Sequence, residues 1–170
     1  MGCHTRLLFW QFIINLGADL QGAPTDFWGK REPYDGEVVS WHPLVDHCAD
    51  VAACAATLLE LPGWRHRLAR LCGRDDLDEV TRARLSVFAA LHDVGKFNIG
   101  FQAKGRPEFG ASAGHVREAL TAVGRDVLSS LDPLGDWGNA ATGLLVSAIC
   151  HHGRPYALSH ATQVEAALWR

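Results

Sequence analysis

An all-α fold is what this sequence predicts, and three observations predict it. Beyond Trp41 the apolar residues recur at helical spacing. Helix start and stop residues punctuate that pattern at intervals suited to globular helices. No two segments alternate convincingly enough to pair as strands, and no internal repeat is visible. At 170 residues, 48% hydrophobic and 21% charged, the chain has material for one domain with a real core.

The elements follow in order. The run Leu7 to Leu16 is apolar but short for a membrane span. It has little charge before it and no clear cleavage site, which argues against a signal peptide. Residues 1–26 are therefore expected to be an N-terminal extension, and 27–170 the domain. Asp26 to Gly36, rich in Gly, Pro and charge, reads as a loop. Pro43 to Leu61 reads as a helix, with Pro in its first turn and Pro62-Gly63 as its stop. His47, Val51, Cys54 and Leu58 form its expected inner stripe, at spacings of four, three and four. A short basic helix, Trp64 to Leu71, ends at Gly73.

Asp76 with Glu79 suggests an N-cap and its partner, opening a helix from Leu77 to about Asp93 that buries Val80, Phe88 and Leu91. Gly95 stops it. Lys96 to Gly114 is a long irregular segment, of a length usually functional or mobile. His115 to Leu131 is helical again, with a Pro/Gly loop at Asp132 to Gly138. Asn139 to His152 is a very apolar helix ending at Gly153, and Ser159 caps a last helix that reaches Arg170.

Charge and cysteine usage narrow the class. A net charge of −3 means that any nucleic-acid contact must come from a local patch. Five cysteines, an odd number with no CxxC pair, fit a reducing cytoplasm and no disulfide framework.

Five of the nine histidines carry the chemistry, together with one aspartate. His47 lies mid-helix, His92 and Asp93 at a helix end after an apolar run, His115 at a helix start, and His151-His152 after Ile149-Cys150. Imidazole and carboxylate groups beside apolar runs are costly to bury unless something compensates them, and a metal ion compensates both. His4, His42, His66 and His160 stand in loops or polar surroundings and have no such role. Mixed His and Asp ligands suit borderline divalent metals such as Fe, Mn, Co, Ni or Zn rather than Ca or Mg cages built only from oxygen; Fe, Mn, Co or Ni is expected ahead of Zn, with Mg a further alternative. Five His and one Asp exceed one tetrahedral site. They would serve two metals bridged by one carboxylate, an arrangement that activates water for phosphoester displacement. Lys96 is placed to neutralise phosphate charge, or to act as a cation at a helix C-terminus. Phe97, Phe101 and Phe109 interleave with Lys96, Lys104 and Arg106, a pattern that suits a single nucleic-acid strand.

At these residues the chain resembles the HD phosphohydrolase superfamily, and within it the HD nuclease domain of the CRISPR-associated nuclease-helicase of type I interference. The likeness runs from about Phe27 to Arg170. It rests on Phe27-Trp28-Gly29-Lys30 with Trp41-His42-Pro43-Leu44 and His47-Cys48-Ala49-Asp50-Val51-Ala52, on His92-Asp93-Val94-Gly95-Lys96-Phe97 with Phe101-Gln102-Ala103-Lys104, and on Ile149-Cys150-His151-His152-Gly153.

The resemblance implies an HD-domain helical bundle around a metal site. It implies a metal-dependent DNase that cuts single-stranded DNA fed by a helicase and recruited through an RNA-guided surveillance complex. His47, His92 and Asp93 would hold one metal; Asp93, His115, His151 and His152 would hold the second, with Asp93 bridging. Asp93 and Lys96 are the expected catalytic residues, and Lys96, Phe101, Gln102, Lys104 and Arg106 the expected substrate contacts.

The resemblance also implies a further aspartate well downstream of the paired histidines. Past His152 the only carboxylate is Glu165, and there is no GxxxxGK[ST] loop. The chain is therefore expected to be a C-terminally truncated front piece of a nuclease-helicase, or a short subunit, with one metal weakly held. Two other functions fit the same residues: an HD-type nucleotide phosphohydrolase, and a catalytically silent metal-binding module that docks on a partner.

Overall fold

The computed structural model describes residues 27–34, 37–123, 134 and 136–153. The expected extension at 1–26, the second half of the helix expected from His115 to Leu131, part of the Asp132 to Gly138 loop and the helix capped by Ser159 lie outside them.

The described fold is helical apart from one antiparallel hairpin, β1 (Trp28–Tyr34) with β2 (Glu37–Pro43). The hairpin corrects the loop expected at Asp26 to Gly36. Strand β1 has little apolar alternation, and Gly, Pro and three charged residues crowd it. Its pairing is a backbone property, interrupted by irregular register on either side of Gly29 and before Pro33. A two-stranded sheet is all edge, so Pro33 costs it little.

Helix α1 (Leu44–Glu60) starts at Pro43, with Asp46 in its first turn, where a carboxylate favours the helix N-terminus. Its core face is Leu44, Val45, Cys48, Ala52 and Leu59. The expected stripe is therefore rotated: Cys54 and Leu58 are exposed, and His47 lies at the edge of the buried face. Helix α2 (Pro62–Leu71) uses Pro62 at its first position. It closes with Gly73 at φ +67° and bonds from Gly73 N to Arg70 O and Arg74 N to Ala69 O. That is the Schellman arrangement, which favours glycine there.

Helix α3 (Glu79–Ala90) is capped by Asp78, which accepts from Thr81 N at 2.7 Å, not by Asp76. Asp76 instead accepts from Leu77 N and Arg65 Nε. Phe88 and Leu91 are buried as expected, whereas Val80, in the first turn, is exposed. A 3₁₀ segment, Leu91–Phe97, continues α3 with a kink at Asp93 (φ −107°, ψ 16°). Tight 3₁₀ turns and this bridge-region conformation are common where a side chain is aimed at a site.

Then come α4 (Ile99–Gln102), a 3₁₀ turn at Pro107–Phe109, α5 (Val116–Val123) and α6 (Ala140–Ile149). The core gathers α1, α3, α5 and α6 around the 3₁₀ segment, whose Leu91, Val94 and Phe97 are almost fully buried. The segment that carries His92 and Asp93 is thus the centre of the packing. No helix among the described residues is long and apolar enough to cross a membrane.

Candidate metal centre

Four elements converge on one carboxylate. The kinked 3₁₀ segment buries Asp93 to 2% exposure and aims it between α1, α5 and the end of α6. Its Oδ2 lies 3.1 Å from His47 Nε2, 3.1 Å from His92 Nε2 and 2.8 Å from Lys96 Nζ. Its Oδ1 lies 3.7 Å from His115 Nε2 and 3.9 Å from His151 Nε2. His152 Nε2 is 3.2 Å from His115 Nε2. The six residues singled out from the sequence are therefore brought together.

Two ligand sets can be distinguished, each with its ligand atoms within 4.8 Å of one another: His47, His92 and Asp93, and His115, His151 and His152. Asp93 Oδ1 faces the second set and is buried with no hydrogen-bond partner among the described residues. A buried carboxylate oxygen without a donor is expensive, and a cation between it and the imidazoles removes that cost.

Backbone carbonyls set the imidazoles. Ala89 O accepts from His92 Nδ1 at 2.8 Å, and Ala148 O from His151 Nδ1 at 3.2 Å. A carbonyl accepts only from N–H, so Nδ1 carries a hydrogen in both rings and Nε2 is the nitrogen turned toward Asp93, the arrangement of a metal ligand with its outer partner. Five nitrogens and one carboxylate make a donor set that fits divalent transition metals.

The protonation states agree. Burial would raise the Asp93 carboxyl, but hydrogen bonds and charge from His92 and Lys96 outweigh it and hold the group far below the usual carboxylate range. Burial lowers His47 against the pull of Asp93, and burial with His152 lowers His151. Burial brings His115 from 6.5 down to about 4. The unfolded chain therefore takes up a proton at this histidine before the folded one does, and stability rises with pH across that interval. Melting of the metal-free chain in chelator is expected to occur at progressively lower temperature as pH falls from 6.5 toward 4. A melting temperature that holds constant through the window would contradict this.

The substrate-facing residues divide. Lys104 is exposed, its Nζ 4.6 Å from the Phe101 ring centre. Arg106 is half-buried over Phe109 at 5.6 Å. Phe101 and Phe97 are buried, which corrects the expectation of bases stacked on this segment. Phe101 packs on Trp28 at 4.6 Å and on His115 at 5.2 Å, and Phe97 on Phe27. Gln102 is fully buried with its amide spent on backbone groups, so it is not a substrate contact. Lys96 donates to Gly29 O at 3.0 Å while it pairs with Asp93, so its charge is already engaged.

Sequence reasoning passed over Asn98 and gave Gly29 no role beyond its place in the Phe27-Trp28-Gly29-Lys30 motif. Asn98 caps α4 by accepting from Phe101 N, and its amide donates to Gly95 O and Gly114 O, just before His115. A polar residue opening a short helix was the available signal. Gly29 lies flush against α1: a Cβ there would stand 2.9 Å from His47 Cβ.

With this geometry in place, comparison with known proteins is decisive at one level. The family model described as "Cas3, HD domain" matches residues 28–169. No curated protein and no solved structure matches the chain. The match spans nearly the whole sequence, and the chain belongs to the Cas3 HD domain family, the HD nuclease domain of Cas3 in type I CRISPR systems.

Proposed function

We propose that this domain is a metal-dependent nuclease that cleaves single-stranded DNA with two divalent metals. His47, His92 and Asp93 would hold one, Asp93, His115, His151 and His152 the other, with Asp93 shared. The single observation that carries the reading is the orphaned Asp93 Oδ1 set between two histidine sets in a chain of this family. When bound, such metals supply an activated water and neutralise charge on the phosphate oxygens. The nitrogen-rich donor set suits divalent transition metals, of which we propose Fe, Mn, Co or Ni ahead of Zn, with Mg less suited.

The chain's own residues do the rest. Asp93 stays ionised because Lys96 and His92 hold it so, and Lys96 keeps its carboxylate oriented through Gly29 O. His151 and His152 are exposed, so the second set opens to solvent and is open to a polymer. A cleft of about 590 Å³, lined by Lys30, Trp41, His42 and Asp50 among others, lies beside His47 of the first set. Lys104 offers phosphate contact on the Ile99–Gly114 side. A strand fed by a helicase and delivered by an RNA-guided surveillance complex in the cytoplasm fits this open geometry better than a free nucleotide, which favours a closed pocket.

The test is cleavage by the purified chain loaded with Mn²⁺, Fe²⁺, Co²⁺ or Ni²⁺, offered single-stranded DNA beside nucleoside monophosphates. Shortened DNA with intact nucleotides is the expected result. Hydrolysis of nucleotides alone, or bound metal without turnover on either, would overturn the reading.

A further inference from the structure

We propose that Gln102 is a positioning residue for the His47, His92 and Asp93 set, an inference that rests on the two-metal reading above. Its side-chain amide ties strand β1 to the 3₁₀ segment and so holds Gly29 in place between Lys96 and His47.

The connections are continuous. Gln102 is wholly buried. Its Oε1 accepts from Trp28 N at 2.9 Å, and its Nε2 donates to Trp28 O at 3.2 Å and to Lys96 O at 2.8 Å. The Trp28 indole N–H donates to the Gln102 backbone carbonyl at 3.3 Å, and the Trp28 ring packs on Phe101. One amide thus satisfies both backbone groups of Trp28, as a neighbouring strand would, and has a second N–H for Lys96. Only an amide side chain of this length both accepts and donates twice.

The next residue transmits the constraint. Gly29 O receives the Lys96 ammonium, which lies on Asp93 Oδ2. The Gly29 Cα lies so close to α1 that an added Cβ would come to 2.9 Å from His47 Cβ and 3.1 Å from Leu44 Cα. Strand β1 is therefore the wall against which His47 is set, and Gln102 fastens that wall. None of these hydrogen bonds ends on His115, His151 or His152, and the second set meets this chain of contacts only through the shared Asp93 and the Phe101 ring against His115. That asymmetry separates a positioning role from a general contribution to stability.

The test is Mn²⁺ titration calorimetry on the full chain in two backgrounds. His152→Ala weakens the second set and reports on the first; His47→Ala does the converse. In the first background Gln102→Leu is expected to raise the Mn²⁺ Kd by roughly 10–100-fold, and in the second by less than about 3-fold, the scale of an outer partner lost from one site only. Gly29→Ala, which keeps the amide but pushes β1 off His47, is expected to show the same selectivity and guards against a misfolded Gln102 variant. Equal losses in both backgrounds, or an unchanged first set beside a lowered melting temperature, would overturn this inference alone. A wild-type chain with no Mn²⁺ site would overturn the two-metal reading and the inference with it.

Discussion

Asp93→Ala is expected to abolish cleavage and to remove both metals, because each ligand set uses this one carboxylate. The loss should exceed the roughly 10–100-fold that follows removal of an outer-shell partner. The variant should also be less stable before any metal is added. Lys96 is 14% exposed and would keep Gly29 O and the Phe101 ring face as partners, with its counter-charge gone. Breaking such a pair on one side costs about 3–5 kcal/mol. Asp93→Asn keeps the shape and an acceptor for Lys96, so it should melt closer to wild type while still failing to bind metal. Thermal melts in chelator and metal content after loading check both halves. An alanine variant that cleaves within tenfold of wild type would remove Asp93 from the centre of the account.

Gly95→Ala is expected to produce the second large effect, through packing. A Cβ at residue 95 would stand 1.7 Å from His115 O, 2.6 Å from His115 C and 2.9 Å from Ala119 Cβ. Two of those atoms are backbone, so no rotamer change relieves the clash and α5 must move away. Overpacking usually costs 1–3 kcal/mol, and a backbone collision of this depth should reach about 3 kcal/mol or more. His115 would leave the neighbourhood of Asp93 Oδ1. Urea unfolding and Mn²⁺ titration are expected to show a destabilised chain that has lost the His115, His151 and His152 set before the His47 and His92 set. A Gly95→Ala chain as stable as wild type would show that α5 is not locked to the 3₁₀ segment.

The candidate ligands were legible in the sequence because their cost was. His92-Asp93 after Leu85 to Leu91, and His151-His152 after Ile149-Cys150, put charge or hydrogen-bonding demand at the ends of apolar helices, and physical chemistry requires a reason for that. Helix existence was legible for the same reason, since packing at 3.6-residue spacing leaves a periodic trace. What was lost depended on distant partners. Gly95 reads as a helix stop, yet its role is to let the His115 backbone approach, which no local pattern encodes. Gln102 sits between phenylalanines and a lysine and so resembles a nucleic-acid contact. Its partner is the backbone of Trp28, 74 residues away. The hairpin hid because backbone pairing in a two-stranded ribbon needs no alternating side chains. The α1 stripe was misphased by running it from His47 through Cys54 and Leu58; His47 lies at the edge of the core, where the packing opens to the candidate site.

The central claim is that two metals share Asp93, and the Mn²⁺ stoichiometry of four chains tests it most directly. Calorimetric titration is expected to give two equivalents for wild type, one for His47→Ala, one for His152→Ala and none for Asp93→Ala. A single equivalent in wild type, or two retained when Asp93 is replaced, would contradict it.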